Sequence, residues 1–239
     1  MSNELLLVGE LFLTFGSLLI AYKLFGKLGL FIWIPISTIL ANIQVLVTIE
    51  SFGLVATLGN IMYGSCFLAT DILAENHGKK DAQKAVAIGF FSLIFTAIIM
   101  NYILMYTSIE DAFSVAMFEN IKNIFKMLPR LALASLVAFF VSQNHDVWAF
   151  EFWKKKFPGT KNLWIRNNAS TIVSQCLDTA IFTLIAFWGQ MPVNVLWQIF
   201  ATTVVLKTLI SLIDTPFVYL GVFIHKKRLT KENILVEVN

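Results

Sequence analysis

Long apolar runs separated by short polar joints govern this chain from end to end. A helix that crosses a bilayer needs about 20 mostly apolar residues, because each adds about 1.5 Å against a hydrocarbon core about 30 Å thick. Seven stretches meet that requirement: 5–25, 28–49, 53–73, 84–107, 122–145, 164–188 and 194–224. The longest joints are 108–121, polar and acidic, and 146–163, which holds EFWKKKFPGTKN. No shift in composition marks a linker, so residues 1–239 read as a single integral membrane domain. The pattern predicts an all-α fold, a polytopic bundle of about seven transmembrane helices, with six as the alternative.

The joints alternate in charge. Lys23 and Lys27, then Lys79, Lys80 and Lys84, then Lys154, Lys155, Lys156 and Lys161, and finally His225, Lys226, Lys227 and Arg228 fall at every second boundary. The other boundaries hold Glu50, then Glu110, Asp111 and Glu119, then WGQMP without charge. Cationic loops stay in the cytoplasm, which predicts the N-terminus outside and the C-terminus inside. Lys122, Lys126 and Arg130 break the rule on the outer side, so residues 112–127 are expected to form an amphipathic piece lying in the interface.

Composition agrees. Charged residues are 14 % and hydrophobic ones 57 %, with 22 Phe, whereas a soluble domain carries about 25 % charged residues. The continuous runs exclude a transmembrane β-barrel, whose strands would give weak alternating segments. No basic patch with interleaved aromatics points to nucleic acid. Cys66 and Cys176 lie inside apolar runs and read as small buried residues. The first segment lacks a basic start and a small-residue cleavage site, so it is expected to remain as an anchor.

Against this background a few side chains stand in the wrong solvent. A charge at the bilayer centre costs about 3 kcal/mol on insertion scales, so such residues face the protein interior or a wet cavity. The candidates are Glu10, Asp71, Glu75, Arg130, Asp178, Lys207 and Asp214. Helical spacing gathers them into polar stripes: Asn60, Gly64, Asp71 and Glu75; Asn167, Thr171, Ser174 and Asp178; Thr203, Lys207, Ser211 and Asp214; and a shorter stripe of Glu10, Thr14 and Ser17. The simple packing that satisfies them turns the stripes toward a central polar cavity. Plainer readings compete: Ser and Thr bond to their own helix or glue helices together, Glu10 lies near the outer surface, and Lys207 with Asp214 reads equally as a structural ion pair. His77, His145 and His225 fall near membrane ends and are expected to be solvated rather than ligands.

The chemistry these residues support is narrow. HGKK is not a phosphate loop, and there is no H-E-x-x-H, no Cys/His cluster and no Ser/His pair set within the membrane. No cofactor, no metal and no catalytic set is expected. Carboxylates, amides and hydroxyls suit a small polar organic solute.

Four segments carry a family resemblance. ATDILAENHGKKDA (69–82), LWIRNNASTIVSQCLDTAIFTLIAFWG (163–189), LPRLALASLVAFFVSQNHD (128–146) and KTLISLIDTPFVYL (207–220) resemble the motifs of the queuosine precursor transporter family, also called the vitamin uptake transporter family. His77 stands where that family commonly has an aromatic such as Tyr, and the first helix carries no signature. The resemblance implies uptake across the cytoplasmic membrane of a 7-deazaguanine base: 7-cyano-7-deazaguanine, its 7-aminomethyl relative, or queuine. Bidentate carboxylate pairing suits the adjacent N–H donors of a guanine-like edge. The expected substrate-binding set is Asn60, Phe67, Asp71, Glu75, Arg166, Asn167, Ser174, Gln175, Asp178, Lys207 and Asp214. In it Asp178 grips the N–H edge, Asn167 and Gln175 read the carbonyl and ring nitrogens, and Phe67 or Trp164 stacks on the base. Asp71 is expected as a substrate or coupling carboxylate, Arg166 as the ion-pair partner of Glu75 or Asp71, and Lys79 or Lys80 as an alternative partner of Glu75. With no ATP motif, uptake would be facilitated, proton-coupled or energised by a separate subunit. The expected partners are the purine-like solute, the lipid bilayer, and a homodimer mate or energising subunit, but no nucleic acid. The alternative function is a substrate-binding membrane subunit of a multi-component vitamin importer. A membrane enzyme is the third reading, disfavoured by the missing catalytic set.

Overall fold

Helix follows helix through nearly the whole chain in the computed structural model, which describes residues 2–156 and 163–237. The side chains of 163–172 and 231–237, of Thr215 and Leu229, and of several positions within 143–155 lie outside the description. The elements are α1 (Asn3–Phe25), α2 (Lys27–Gln44), β1 (Thr48–Ser51), β2 (Leu54–Thr57), α3 (Asn60–His77), α4 (Lys79–Ile103), α5 (Ala112–Phe125), α6 (Leu128–Lys156), α7 (Leu163–Phe187) and α8 (Val193–Glu237). The seven apolar stretches correspond in order to α1, α2, α3, α4, α6, α7 and α8. Among the described residues, five helical stretches are long and apolar enough to cross a membrane. The exceptions are α3, which is diluted by Asn60, Asp71, Glu75 and Asn76, and α7, whose described apolar part is Val173–Phe187. This is a helical membrane bundle.

Two boundaries need correction. Residues 28–49 and 53–73 were expected to be continuous spans, yet α2 ends at Gln44 and α3 begins at Asn60. Between them β1 and β2 form a two-stranded sheet. Thr48, Ile49 and Val55 are β-branched and favour a pleated surface. At the tip Phe52 and Gly53 have φ of 53° and 73°, the left-handed pair that a two-residue hairpin requires. Hydropathy alone does not separate these apolar strands from a helix. Residues 112–127, expected as an amphipathic piece in the interface, form the separate helix α5, none of whose residues is buried. Asp111 caps it, accepting from the Ser114 N–H at 2.9 Å. Hydrogen bonds from the Ser114 side chain and backbone hold the Asp111 carboxyl below the usual carboxylate range.

The chain forms two compact units. The first comprises Met1–Phe52, Thr57–Thr96 and Leu209–Asn239, the second Gly53–Ala56 and Ala97–Thr208. In the first unit Phe15, Leu18 and Tyr22 of α1, Leu30 and Ile34 of α2, Leu68, Ile72 and Leu73 of α3 and Ile210 of α8 share one core. Phe15 meets Phe217 edge-to-face at 5.1 Å. Helix association in lipid relies on close packing, because tails are as apolar as Leu. Gly64 shows this: a Cβ placed there would stand 2.5 Å from Ile210 Cγ2.

Polar contacts fix both ends of the first unit. At one end Lys27 pairs with Asp81 at 2.6 Å, joining the α1–α2 and α3–α4 turns. Beside them the Tyr22 hydroxyl lies 3.2 Å from His77 Nε2 and accepts from Asn76 Nδ2 at 3.1 Å. The His77 and His225 rings meet at 4.8 Å. These two histidines are therefore packed against neighbours, not simply solvated as expected. At the other end Asn3 donates to the Glu50 carbonyl at 2.6 Å, and the Phe52 N–H donates to Glu4 at 3.0 Å. The cationic turns thus share one end of the unit, as the alternating-charge pattern requires.

In the second unit α6 lies along α7. Arg130, an exception to the charge rule, donates from Nε to the Ile185 carbonyl at 2.6 Å and from Nη2 to the Trp188 carbonyl at 2.5 Å. The last carbonyls of a helix have no partner within it and form its negative pole. Arg130 therefore caps α7, and its charge is used locally rather than as a topology signal. β2 joins this unit through Val55, whose N–H donates to Gln198 Oε1 at 3.3 Å and whose carbonyl accepts from Thr202 Oγ1 at 3.0 Å.

Two stability predictions follow from the packing. Gly64→Ala is expected to destabilise by about 1–3 kcal/mol, the range for overpacking, because the β-branched Ile210 has no alternative rotamer in a helix. Gly16→Ala, where nothing lies within 4 Å, is expected to be neutral or stabilising; thermal unfolding in detergent compares the two. Arg130→Ala is expected to cost about 2 kcal/mol for two charge-assisted bonds. Arg130→Lys should recover only part of this, since one ammonium does not reproduce the guanidinium fork. Equal unfolding temperatures for the Ala and Lys variants would contradict the capping role.

Candidate functional site

The polar residues of the membrane helices form two groups, one in each unit. In the second unit the centre is an ion pair. Lys207 of α8 donates to Asp178 Oδ2 of α7 at 2.6 Å, and the two side chains are only 10 % and 9 % exposed. Ser142 of α6 donates to Asp178 Oδ1 at 3.4 Å. One turn away on the same helices, His145 Nδ1 lies 3.0 Å from Ser174 Oγ. Ser142 with His145 and Ser174 with Asp178 are spaced i,i+3 and i,i+4, so each pair shares a helix face. The result is a polar ladder between α6 and α7 that ends on Lys207. Ser142, Ser174, Asp178 and Thr179 are all buried. Gln175 Oε1 is buried without a hydrogen-bond partner among the described residues.

Several expectations change here. Lys207 was weighed as a partner for Asp214, but it pairs with Asp178. Spacing along one helix shows a shared face, not which neighbour meets it. His145 was expected to be solvated, but it is bonded to Ser174 and packs against Trp148 at 5.7 Å. Ser142 and His145 are the residues that the sequence reading missed. Their signal was the i,i+3 spacing within SQNHD, opposite the Ser174–Asp178 pair. Asp178, expected to grip a substrate, has both oxygens engaged by protein donors.

In the first unit Asp71 of α3 is exposed, while Asp214 of α8 is buried. The Asp71 charge bears on Asp214, and neither has an ion pair or hydrogen bond among the described residues. Phe67, one turn before Asp71, packs edge-to-face on Tyr63 at 5.0 Å. Asn60 Nδ2 donates to the Thr57 carbonyl at 3.1 Å, tying the start of α3 to β2. Glu75 is exposed, and among the described residues it has no ion pair with Lys79 or Lys80. Glu10 accepts from Gln44 Nε2 at 3.3 Å, an α1–α2 contact. Trp164, Arg166, Asn167 and Thr171 lie outside the described side chains, and with them the expected pairing of Arg166 to Glu75 or Asp71. Among the described residues no group of His, Cys, Asp or Glu is placed to hold a metal ion.

Two acids with no ion pair among the described residues, in one unit, contrast with a compensated acid in the other. The first arrangement accepts hydrogen bonds or a cationic group from a solute. The second holds a neutral pair in a desolvated place.

Known proteins carry the same segments. A family model described as "Putative vitamin uptake transporter" matches residues 57–221. The chain is 46 % identical over 201 residues to the "Probable queuosine precursor transporter" of Bacillus subtilis strain 168, covering 84 % of this chain and 86 % of that one. It is 28 % identical over 158 residues to the protein of the same name in Haemophilus influenzae, covering 66 % and 63 %. It is 26 % identical over 170 residues to the "Queuosine precursor transporter" of Escherichia coli K12, covering 70 % of each. No solved structure matches. The matched residues take in the Asp71 helix, the Ser142–His145 and Ser174–Asp178 pairs and the α8 segment with Lys207 and Asp214, and the chain accordingly belongs to the vitamin uptake transporter family, as a multi-pass membrane transporter and not an enzyme.

Proposed function

We propose that this chain imports a queuosine precursor, a 7-deazaguanine base, across the cytoplasmic membrane. The observation that carries this reading is the 46 % identity to the Bacillus subtilis protein over most of both chains. The first unit supports it chemically. A deazaguanine presents adjacent N–H donors on one edge, and a carboxylate accepts both in a charge-assisted pair. Of the two acids Asp71 is the exposed one, and its charge bears on the buried Asp214. Phe67 lies on the same face one turn away, where a planar base stacks on an aromatic ring. Asp178 meets a ligand only after Lys207 has moved, so Asp71 is assigned the N–H edge.

Two carboxylates of one unit with no ion pair among the described residues favour a cationic solute. Among the three bases the 7-aminomethyl form carries an ammonium, whereas the 7-cyano form is neutral. In a host unable to synthesise queuosine, unlabelled 7-aminomethyl base is expected to compete with labelled uptake more strongly than the 7-cyano base. The reverse order would remove charge pairing as the basis of selection. Asp71→Asn keeps the size and removes the charge; it is expected to abolish uptake at normal membrane expression. Uptake by the purified chain in liposomes, with no other protein present, checks that the chain is a complete carrier. Binding without uptake there would favour the subunit of a larger importer instead.

A further inference from the structure

We propose that α5 docks on the outer leaflet of the bilayer. Its Phe113, Met117, Ile121 and Ile124 enter the acyl layer, Lys126 meets lipid phosphate, and Asn101 clamps the helix, so that the leaflet fixes the depth at which α6 begins. The inference does not depend on which solute the chain carries.

Spacing and exposure define the face. Phe113, Met117, Ile121 and Ile124 recur at intervals of four, four and three, so they share one side of the helix. All four are exposed. Val115 alone among the exposed large apolar residues of α5 falls off this side. Glu119, Lys122, Asn123 and Lys126 share the opposite side. Lys122 is matched locally by Glu119 at 2.8 Å. Lys126 has no ion pair among the described residues. An apolar side opposed by a cationic polar one is the form of a helix that lies in the headgroup region.

The neighbours of α5 put that face at the membrane boundary. Its 14 residues reach about 21 Å, too short for a hydrocarbon core about 30 Å thick. It lies between α4, which ends at Ile103, and α6, which begins at Leu128; both belong to stretches long and apolar enough to cross a membrane. Arg130, in the first turn of α6, donates to the Trp188 carbonyl just past the end of α7. Trp188 is exposed, and an exposed Trp at a helix end marks the headgroup level. On the expected orientation that level is the outer one. Asn101, near the end of α4, donates from Nδ2 to the Phe125 carbonyl at 3.0 Å and to the Ala97 carbonyl at 2.9 Å. The last carbonyls of a helix have no partner within it, so Asn101 fastens the end of α5 to α4. A second copy of the chain is the competing occupant. A helix face about 21 Å long and about 10 Å wide offers about 200 Å², well short of the about 800 Å² per partner of a stable interface.

Spin labels on single cysteines separate lipid, water and a second copy. The full chain is reconstituted in phosphatidylethanolamine–phosphatidylglycerol liposomes with Cys66→Ser and Cys176→Ser, the first of which keeps a hydroxyl against Ser37. Phe113→Cys, Met117→Cys and Ile124→Cys place the label on the apolar side, and Asn123→Cys places it on the polar side; the four positions are exposed, so the bundle tolerates them. Each label is read by its collisions with oxygen, which concentrates in hydrocarbon, and with a water-soluble nickel chelate. The three apolar positions are expected to favour oxygen severalfold, at a common depth about 5–10 Å below the headgroup boundary. Asn123→Cys is expected to favour nickel. Adding Asn101→Ala is expected to raise the mobility of the Ile124→Cys label while its preference for oxygen remains. Nickel access at the apolar positions would put the face in water. Low access to both reagents, with dipolar broadening between labels, would put a second copy on it. A depth difference between positions 113 and 124 approaching about 16 Å would mean that the helix enters the membrane end-on. Any of these three results overturns the docking, and unchanged mobility in the Asn101→Ala variant overturns the clamp.

Discussion

Hydrocarbon offers a polar side chain no partner, and everything distinctive in this chain follows from how each such group meets that constraint. Most are satisfied by a neighbouring helix or by their own. Trp33 Nε1 donates to Ser65 Oγ at 2.9 Å, the Ser37 hydroxyl lies 2.8 Å from Cys66 Sγ, and the Thr38 hydroxyl donates to the Ile34 carbonyl at 2.7 Å. Bonds of this kind between membrane helices are worth about 0.6 kcal/mol each on average. They hold α2 against α3 without asking anything of a substrate. Charges are different in scale: breaking a buried ion pair by removing one partner costs about 3–5 kcal/mol. A side chain that dear to isolate is either paired permanently or placed where something else will arrive.

The described residues contain both cases. Arg130 is paired permanently with the end of α7. Asp178 is paired with a lysine on a neighbouring helix. Asp71 and Asp214 have no ion pair among the described residues, and the Asp71 charge bears on Asp214. These are three solutions to one problem. The sorting needs no catalytic motif, which suits a protein that moves a molecule without changing it.

Much of the bundle was legible from hydropathy and charge, because bilayer thickness sets helix length and lysine placement sets orientation. The separate helix α5 was legible for the same reason: Lys122 and Lys126 were out of place for a span. The hairpin was not, since Val45–Val47 and Leu54–Val55 are as apolar as the helices around them, and the turn at Phe52–Gly53 carries only one glycine as its mark. Polar faces were readable wherever residues recur at three or four positions. Ser174 with Asp178 is such a face, and so is Ser142 with His145. What a single chain's periodicity does not contain is which face meets which. That is why Lys207 was matched with Asp214 on its own helix rather than with Asp178 across the interface, and why Arg130 looked like a topology exception rather than a cap.

The placing of Asp71 and Glu75 one turn apart near the end of α3 now has a physical meaning. Glu75 lies close to the turn at Gly78, beside Lys79 and Lys80, where water solvates it and its charge costs little. Asp71 is a turn deeper, on the same face as Phe67 and within electrostatic reach of the buried Asp214. In the transport proposed above, an acidic gradient of this form would draw a cationic or donor-rich solute along one helix face, from a carboxylate that is cheap to leave to one that gains most from being paired. The neutral pair in the other unit has the opposite character. Its two side chains meet within the protein at 2.6 Å, so the acid there is already matched by the chain itself.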